Sequence, residues 1–137
     1  MLSIAPVEGL GSPVGLYSHA VPLPVGANLL AVSGQLSVDA EGTSVAAGDF
    51  DGQMRQVFDN LATVLGAAGT GLGAVLKMTT YLVDDANIDD FYRVREELFA
   101  GLFPDGNYPG NTLLVVKRLV RPEFLIEIEA LAALPAS

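Results

Sequence analysis

Phe124-Leu125-Ile126-Glu127-Ile128-Glu129-Ala130-Leu131 alternates with period two. One face of such a strand carries Phe124, Ile126, Ile128 and Ala130, and the other Leu125, Glu127, Glu129 and Leu131. The first face is apolar throughout and has to be packed under another layer. The second sets two carboxylates among leucines, which needs an explanation because burying an unpartnered charge costs several kcal/mol. Either this face is a solvated edge, or Lys117 or Arg118 on the neighbouring strand neutralises it, or it lines a pocket. In a pocket at an interface, a carboxyl with a raised pKa can hold water as a general base.

Working back from this strand, Thr112 to Val116 (TLLVV) and Ala74 to Val83 (AVLKMTTYLV) have the β-branched and aromatic content of strands. Two helices separate the earlier elements. Met54, Val57, Phe58, Leu61, Val64 and Leu65 fall on one stripe at helical period, with Asp49 or Asp51 to cap its start and the glycines of Gly66-Ala67-Ala68-Gly69 to end it. Ile88, Phe91, Val94, Leu98, Phe99 and Leu102 form the second stripe, after the turn Asp84-Asp85-Ala86-Asn87 and before the break Pro104-Asp105-Gly106. At the start, Leu16–Leu23 reads as a short strand, Pro24 to Asn28 as a turn and Leu29–Leu36 as a second strand, together a hairpin. Residues Asp39 to Asp49 read as a loop.

The expected order is ββαβαββ in a single α+β domain over 1–137, a mixed sheet with two helices on one face. Two helices leave the other face uncovered. Half the residues are hydrophobic and only 17% are charged, more apolar surface than one small domain hides, so contacts between copies are expected there.

Composition narrows the chemistry. The net charge is −9, from 7 basic and 16 acidic residues, with no basic run longer than Lys117-Arg118. Affinity for nucleic acid or anionic membranes comes from clustered basic side chains, so neither partner is expected. With no cysteine and one histidine, His19, thiolate catalysis and Cys- or His-built metal centres are excluded. The stretch Met1–Gly11 lacks the basic start and apolar run of a secretory leader, and the expectation is a soluble cytoplasmic protein. Gly69-Thr70-Gly71-Leu72-Gly73 follows a helix and precedes a strand, the reverse of a dinucleotide fingerprint.

Two further segments have two readings each. Tyr17-Ser18-His19-Ala20 either packs and caps locally or lines a site. Ser33-Gly34-Gln35 is either a β-bulge or a place where a ligand or another backbone approaches closely.

Gly15-Leu16-Tyr17-Ser18-His19-Ala20, Val32-Ser33-Gly34-Gln35, Gln56-Val57-Phe58-Asp59-Asn60-Leu61, Val75 to Leu82 and Ile126-Glu127-Ile128-Glu129-Ala130, in this order and spacing, resemble the Rid (YjgF-like) family, also called endoribonuclease L-PSP. The resemblance covers about Gly15 to Ala132. It implies a chorismate-mutase-like fold, a homotrimer with ligand clefts between subunits, no cofactor, and hydrolysis of imines or enamines to ketones and ammonia. It also implies pocket roles for Tyr17, for Ser33 and Gly34, and for Glu127 as the residue that positions water.

Active deaminases of that family carry an arginine in a P-x-R-[ST] motif, which forks onto the substrate carboxylate. Here the motif reads Pro109-Gly110-Asn111-Thr112. Asn111 brings no charge, and each charged hydrogen bond lost costs about 1.5–3 kcal/mol. Asn111 and Thr112 are therefore expected at the site, with backbone amides polarising a substrate other than the common amino-acid-derived imines. The second helix has Val94-Arg95-Glu96-Glu97-Leu98 where the family often has asparagine after the valine. Arg95 either anchors a carboxylate from another wall of the pocket or pairs with Asp90, Glu96 or Glu97. The expected ligand is a small metabolite, either hydrolysed or bound without turnover. Ribonuclease activity, attached to parts of the family, is disfavoured by the acidic charge.

Overall fold

The computed structural model describes residue 4 and residues 7–136. Of the stretch Met1–Gly11, residues 1–3, 5 and 6 lie outside the described residues. The elements are β1 (Asn28–Gln35), α1 (Phe50–Ala67), β2 (Val75–Leu82), α2 (Ile88–Leu102), β3 (Gly110–Val115) and β4 (Ile126–Leu134), with single 3-10 turns at Leu72–Ala74 and Asp85–Asn87.

Each helix starts where its chemistry directs. Asp49 caps α1, its Oδ1 accepting from Gly52 N at 3.1 Å, and Gly69 turns the chain away with φ +82° just beyond the cap. Met54, Val57, Phe58, Leu61 and Leu65 are buried as their spacing predicts, while Val64, at the margin of the stripe, is exposed. Asp84 Oδ1 accepts from Ala86 N at 2.9 Å and shapes the turn into α2, whose buried face carries Phe91, Val94, Arg95 and Phe99.

The sheet runs β1-β4-β2-β3. β4 is central, antiparallel to both β1 and β2, and β2 and β3 are parallel because α2 carries the chain back between them. Ile126, Ile128, Ala130 and Ala132 of β4 are buried with Met78 and Leu82 of β2 against Met54, Leu61, Phe91 and Val94 of the helices, in one core. Fully burying a side chain such as Ile128 stabilises by about 1.5–3 kcal/mol. The sheet is therefore mixed, with both helices on one face. The opposite face presents Leu29, Leu131 and Leu114, all exposed, beside Lys77, Thr79, Tyr81, Glu127 and Glu129.

The N-terminal hairpin does not form. Among the described residues, 16–23 makes one bridge, Ala20 with Ile4, and β1 pairs with β4 instead. Pro22 and Pro24 lack the amide donors that a strand needs at those positions. The segment becomes a strap along the start of β3, with Ser18 N donating to Pro109 O at 3.0 Å and Ser18 Oγ donating to Tyr108 O. The observed order is βαβαββ. Among the described residues, no helix is long and apolar enough to cross a membrane.

Candidate functional site

β1 and β4 stay in register from Asn28 opposite Leu134 to Val32 opposite Ala130, then slip, so that Gln35 faces Ile128. The extra residue falls in Ser33-Gly34, a β-bulge. The bulge also makes the close approach. A Cβ built on Gly34 would lie 2.8 Å from Glu127 Cδ and 3.0 Å from its Cγ. The bulge reading of this glycine therefore holds, and the neighbour that approaches it is a side chain, that of Glu127, rather than another backbone. Ser33 is exposed beside it, its carbonyl accepting from Gln35 Nε2 at 3.1 Å.

On β2, Tyr81 sits directly across from Glu127 and donates its hydroxyl to Glu129 Oε1. Burial, and then the negative charge of Glu129, raise the Glu127 carboxyl above its ordinary pKa. The hydrogen bond to Glu129 is the main cause that raises Tyr81 above its own. Gly34, Tyr81, Arg118, Leu119, Glu127 and Glu129 enclose a hollow of about 350 Å³. Arg118 does not pair with either glutamate. Its Nε donates to Leu119 O at 3.0 Å and its Nη2 to Val120 O at 3.2 Å, and Lys117 forms no ion pair among the described residues. Tyr81 is a member of this group that the sequence reading did not single out, whereas Arg118 was expected beside the two carboxylates, on a neighbouring strand. The alternation of Lys77, Thr79 and Tyr81 on β2 held the signal for Tyr81, and Arg118 reaches the hollow from the loop after β3 rather than from a strand.

A second cleft, of about 500 Å³, lies at the other end of the sheet and is lined by Tyr17, His19, Lys77, Asn111, Thr112 and Leu131 among others. Asn111 Oδ1 accepts from the buried Thr80 Oγ1 at 3.0 Å, which fixes the side chain and leaves its amide nitrogen for other use. The Tyr17 hydroxyl accepts from Val14 N at 3.4 Å, and its ring meets the His19 ring edge-on. His19 Nε2 lies 3.1 Å from Gly11 O, which fits the local, packing reading of this histidine.

The predicted site residues thus form two groups in one copy of the chain. Gly34 and Ser33 lie with Glu127, and Tyr17 lies with Asn111 and Thr112. Tyr81 and Lys77 mark the two ends on β2, four residues or roughly 13 Å apart at about 3.3 Å per residue. One copy does not bring Glu127 to Asn111.

Arg95 lines neither hollow. It is 2% exposed, with its guanidinium carbon 4.9 Å from the Phe91 ring centroid and 5.1 Å from that of Tyr92. The expected pairing with Asp90, Glu96 or Glu97 does not form: Arg93 takes Asp90 and Asp51, and Arg55 takes Glu97. Arg95 Nε and Nη1 have no hydrogen-bond partner among the described residues, and burial lowers the guanidinium pKa.

Residues 10–134 match the family model described as endoribonuclease L-PSP. A RutC family protein of Pyrococcus horikoshii is 36% identical over 125 residues, covering 91% of this chain and 92% of its own. The 2-iminobutanoate/2-iminopropanoate deaminase of Escherichia coli is 32% identical over 127 residues, covering 91% and 92%. Among solved structures, the Rid-family protein YyfB of Yersinia pestis superposes with a TM-score of 0.81 at 31% identity, covering 96% of this chain and 97% of that one. The E. coli YjgF product does so at 0.67 and 30%, covering 88% and 89%. The chain belongs to the endoribonuclease L-PSP family, the Rid or YjgF-like proteins, and has their chorismate-mutase-like α+β fold.

Proposed function

We propose that this protein hydrolyses a small imine or enamine, other than the common amino-acid-derived ones, to a carbonyl compound and ammonia, in clefts formed where three copies of the chain meet. The observation that carries the reading is Glu127, held over Gly34 in a half-buried hollow with its carboxyl pKa raised. A carboxylate so placed accepts a proton from water as the oxygen attacks the C=N carbon and passes it to nitrogen; it then carries the proton of the new hydroxyl to nitrogen as the C–N bond breaks, leaving the carbonyl and ammonia. Relatives named as iminobutanoate/iminopropanoate deaminases, more than 30% identical over nine-tenths of the chain, support this class of reaction.

The rest of the site comes from a second copy. The open sheet face carries exposed leucines around both hollows, and covering it would lay the Tyr17, Asn111 and Thr112 cleft of one copy against the Glu127 hollow of the next. In that cleft the backbone amides at Asn111 and Thr112 would polarise the substrate, the amide groups at Ser33 and Gly34 would receive it, and Tyr17 would close over it. The balance of charge, −9, favours a small metabolite over a nucleic acid, and we place the reaction in the cytoplasm.

The test is ketone release from a panel of small imines generated in situ, 2-iminobutanoate among them, against buffer alone. Release well above buffer, falling to the buffer rate in Glu127→Gln, is expected; a wild type no faster than buffer overturns the proposal. The neutral Asn111 in the position of the family's arginine favours one other reading, a protein that binds the metabolite without turnover. It would show as binding with no release.

A further inference from the structure

Two arginines two residues apart on α2 have opposite surroundings. Arg93 is exposed and is neutralised by Asp51 at 2.8 Å and Asp90 at 3.2 Å. Arg95 is buried, and no carboxylate pairs with it among the described residues. The rings of Phe91, Tyr92 and Phe99 attract its charge through their faces, the farthest centroid at 6.0 Å, but a ring face gives the in-plane N–H groups no acceptor. A desolvated cation with free donors is the arrangement that holds an anion.

The strap closes over it with backbone alone. Gly15 lies so close that a Cβ there would stand 2.5 Å from Arg95 Nη2 and 3.4 Å from the Tyr92 ring. The strap therefore reaches the guanidinium with bare backbone. Tyr92, Tyr17 and Tyr108 are the titratable groups that face Arg95, and Tyr17 also lines the cleft with Asn111. Tyr17 is thus common to the surroundings of the unpaired guanidinium and to the lining of the cleft.

We propose that Arg95 is the anion anchor of this protein, receiving the carboxylate of the ligand from the Tyr17 side beneath the strap. The inference rests on the cleft being the ligand site, and it narrows the substrate class to small carboxylic acids bearing an imine or carbonyl. Lys77 is the competing cation on the cleft wall. It is exposed, and a hydrated ammonium attracts a carboxylate less than a desolvated guanidinium does.

The experiment is calorimetric titration with 2-oxobutanoate and with uncharged 2-oxobutanamide. Wild type is expected to prefer the acid by about tenfold or more, the worth of one charge-assisted hydrogen bond. Arg95→Met loses that preference, and Glu127→Gln keeps it while losing turnover, so failure of the anchor and failure of the hydrolysis are read separately. No binding of the acid, equal acid affinity in wild type and Arg95→Met, or loss only in Lys77→Met overturns the proposal. Methionine fills a similar length and removes an unpaired buried charge, so its melting temperature is expected not to fall. Should Arg95→Met not fold, the melting point of wild type in acetate against equal acetamide decides: a rise in acetate alone supports the anchor, and equal shifts overturn it.

Discussion

The Glu127 side chain lies against the α-carbon of Gly34, so closely that even a methyl group on Gly34 would collide with it. Gly34→Ala is therefore expected to keep the fold and push the carboxylate aside. A displacement of about 1 Å at a reacting group costs on the order of 100-fold in rate. Ketone release measured beside a circular-dichroism melt checks it: a variant that is folded and fully active would show that the position of Glu127 does not matter.

The raised pKa of Glu127 has a direction that can be measured. A carboxyl whose folded pKa lies above its unfolded value costs stability when ionised, and the cost disappears as pH falls through the folded pKa. Glu127→Gln is thus expected to melt higher than wild type at neutral pH, with the advantage shrinking on acidification through that pKa. A constant difference at every pH would contradict it.

Glu129 is the second cause of the same shift, after burial. Glu129→Gln keeps an acceptor for the Tyr81 hydroxyl and removes the charge. The acid limb of the rate profile, set by ionisation of Glu127, is expected to move to lower pH in this variant. An unmoved limb would assign the whole shift to burial.

How much of this was legible in the sequence follows from range. Alternation along 124–131 and the helical stripes are local, and they placed β4, both helices and the two carboxylates on their faces. Gly34 was readable as special, but its neighbour Glu127 lies 93 positions away, and only the register slip between Val32 and Gln35 brings them together. The strand expected over 16–23 failed because β1 found its partner in β4, a choice no local pattern encodes. Arg95 was ambiguous for the same reason: three acids lay within reach in sequence, and the folded chain gave two of them to Arg93 and Arg55.

Gln53 was not legible at all. A glutamine in the first turn of a helix reads as solvated, yet Gln53 is fully buried. Its Nε2 donates to Glu123 O at 2.9 Å and Ala46 O at 3.3 Å, while its Oε1 accepts from Leu125 N at 2.8 Å, two residues before Glu127. Gln53→Leu leaves these backbone groups buried without partners, at about 1–3 kcal/mol each. Urea unfolding is expected to show a loss of at least that order, and a loss below about 0.5 kcal/mol, the usual range of surface changes, would mean the backbone finds other partners.

The open sheet face is where copies of the chain are expected to meet, and Leu131 is its test. The residue is 39% exposed, sits on central β4 opposite the exposed Ala31, and reaches the cleft of Tyr17 and Asn111. An aspartate there would not disturb the helix-side core, which lies on the other face of β4, but it would bury a charge in any contact made through this surface. Sedimentation of wild type is expected at three times the 14.3 kDa chain mass, and of Leu131→Asp at one chain with unchanged circular dichroism. Because the Glu127 hollow and the cleft of Tyr17 and Thr112 lie at opposite ends of the face in one copy, dissociation should abolish ketone release even though every site residue remains. A variant that is monomeric and still active would mean that one copy completes the site alone.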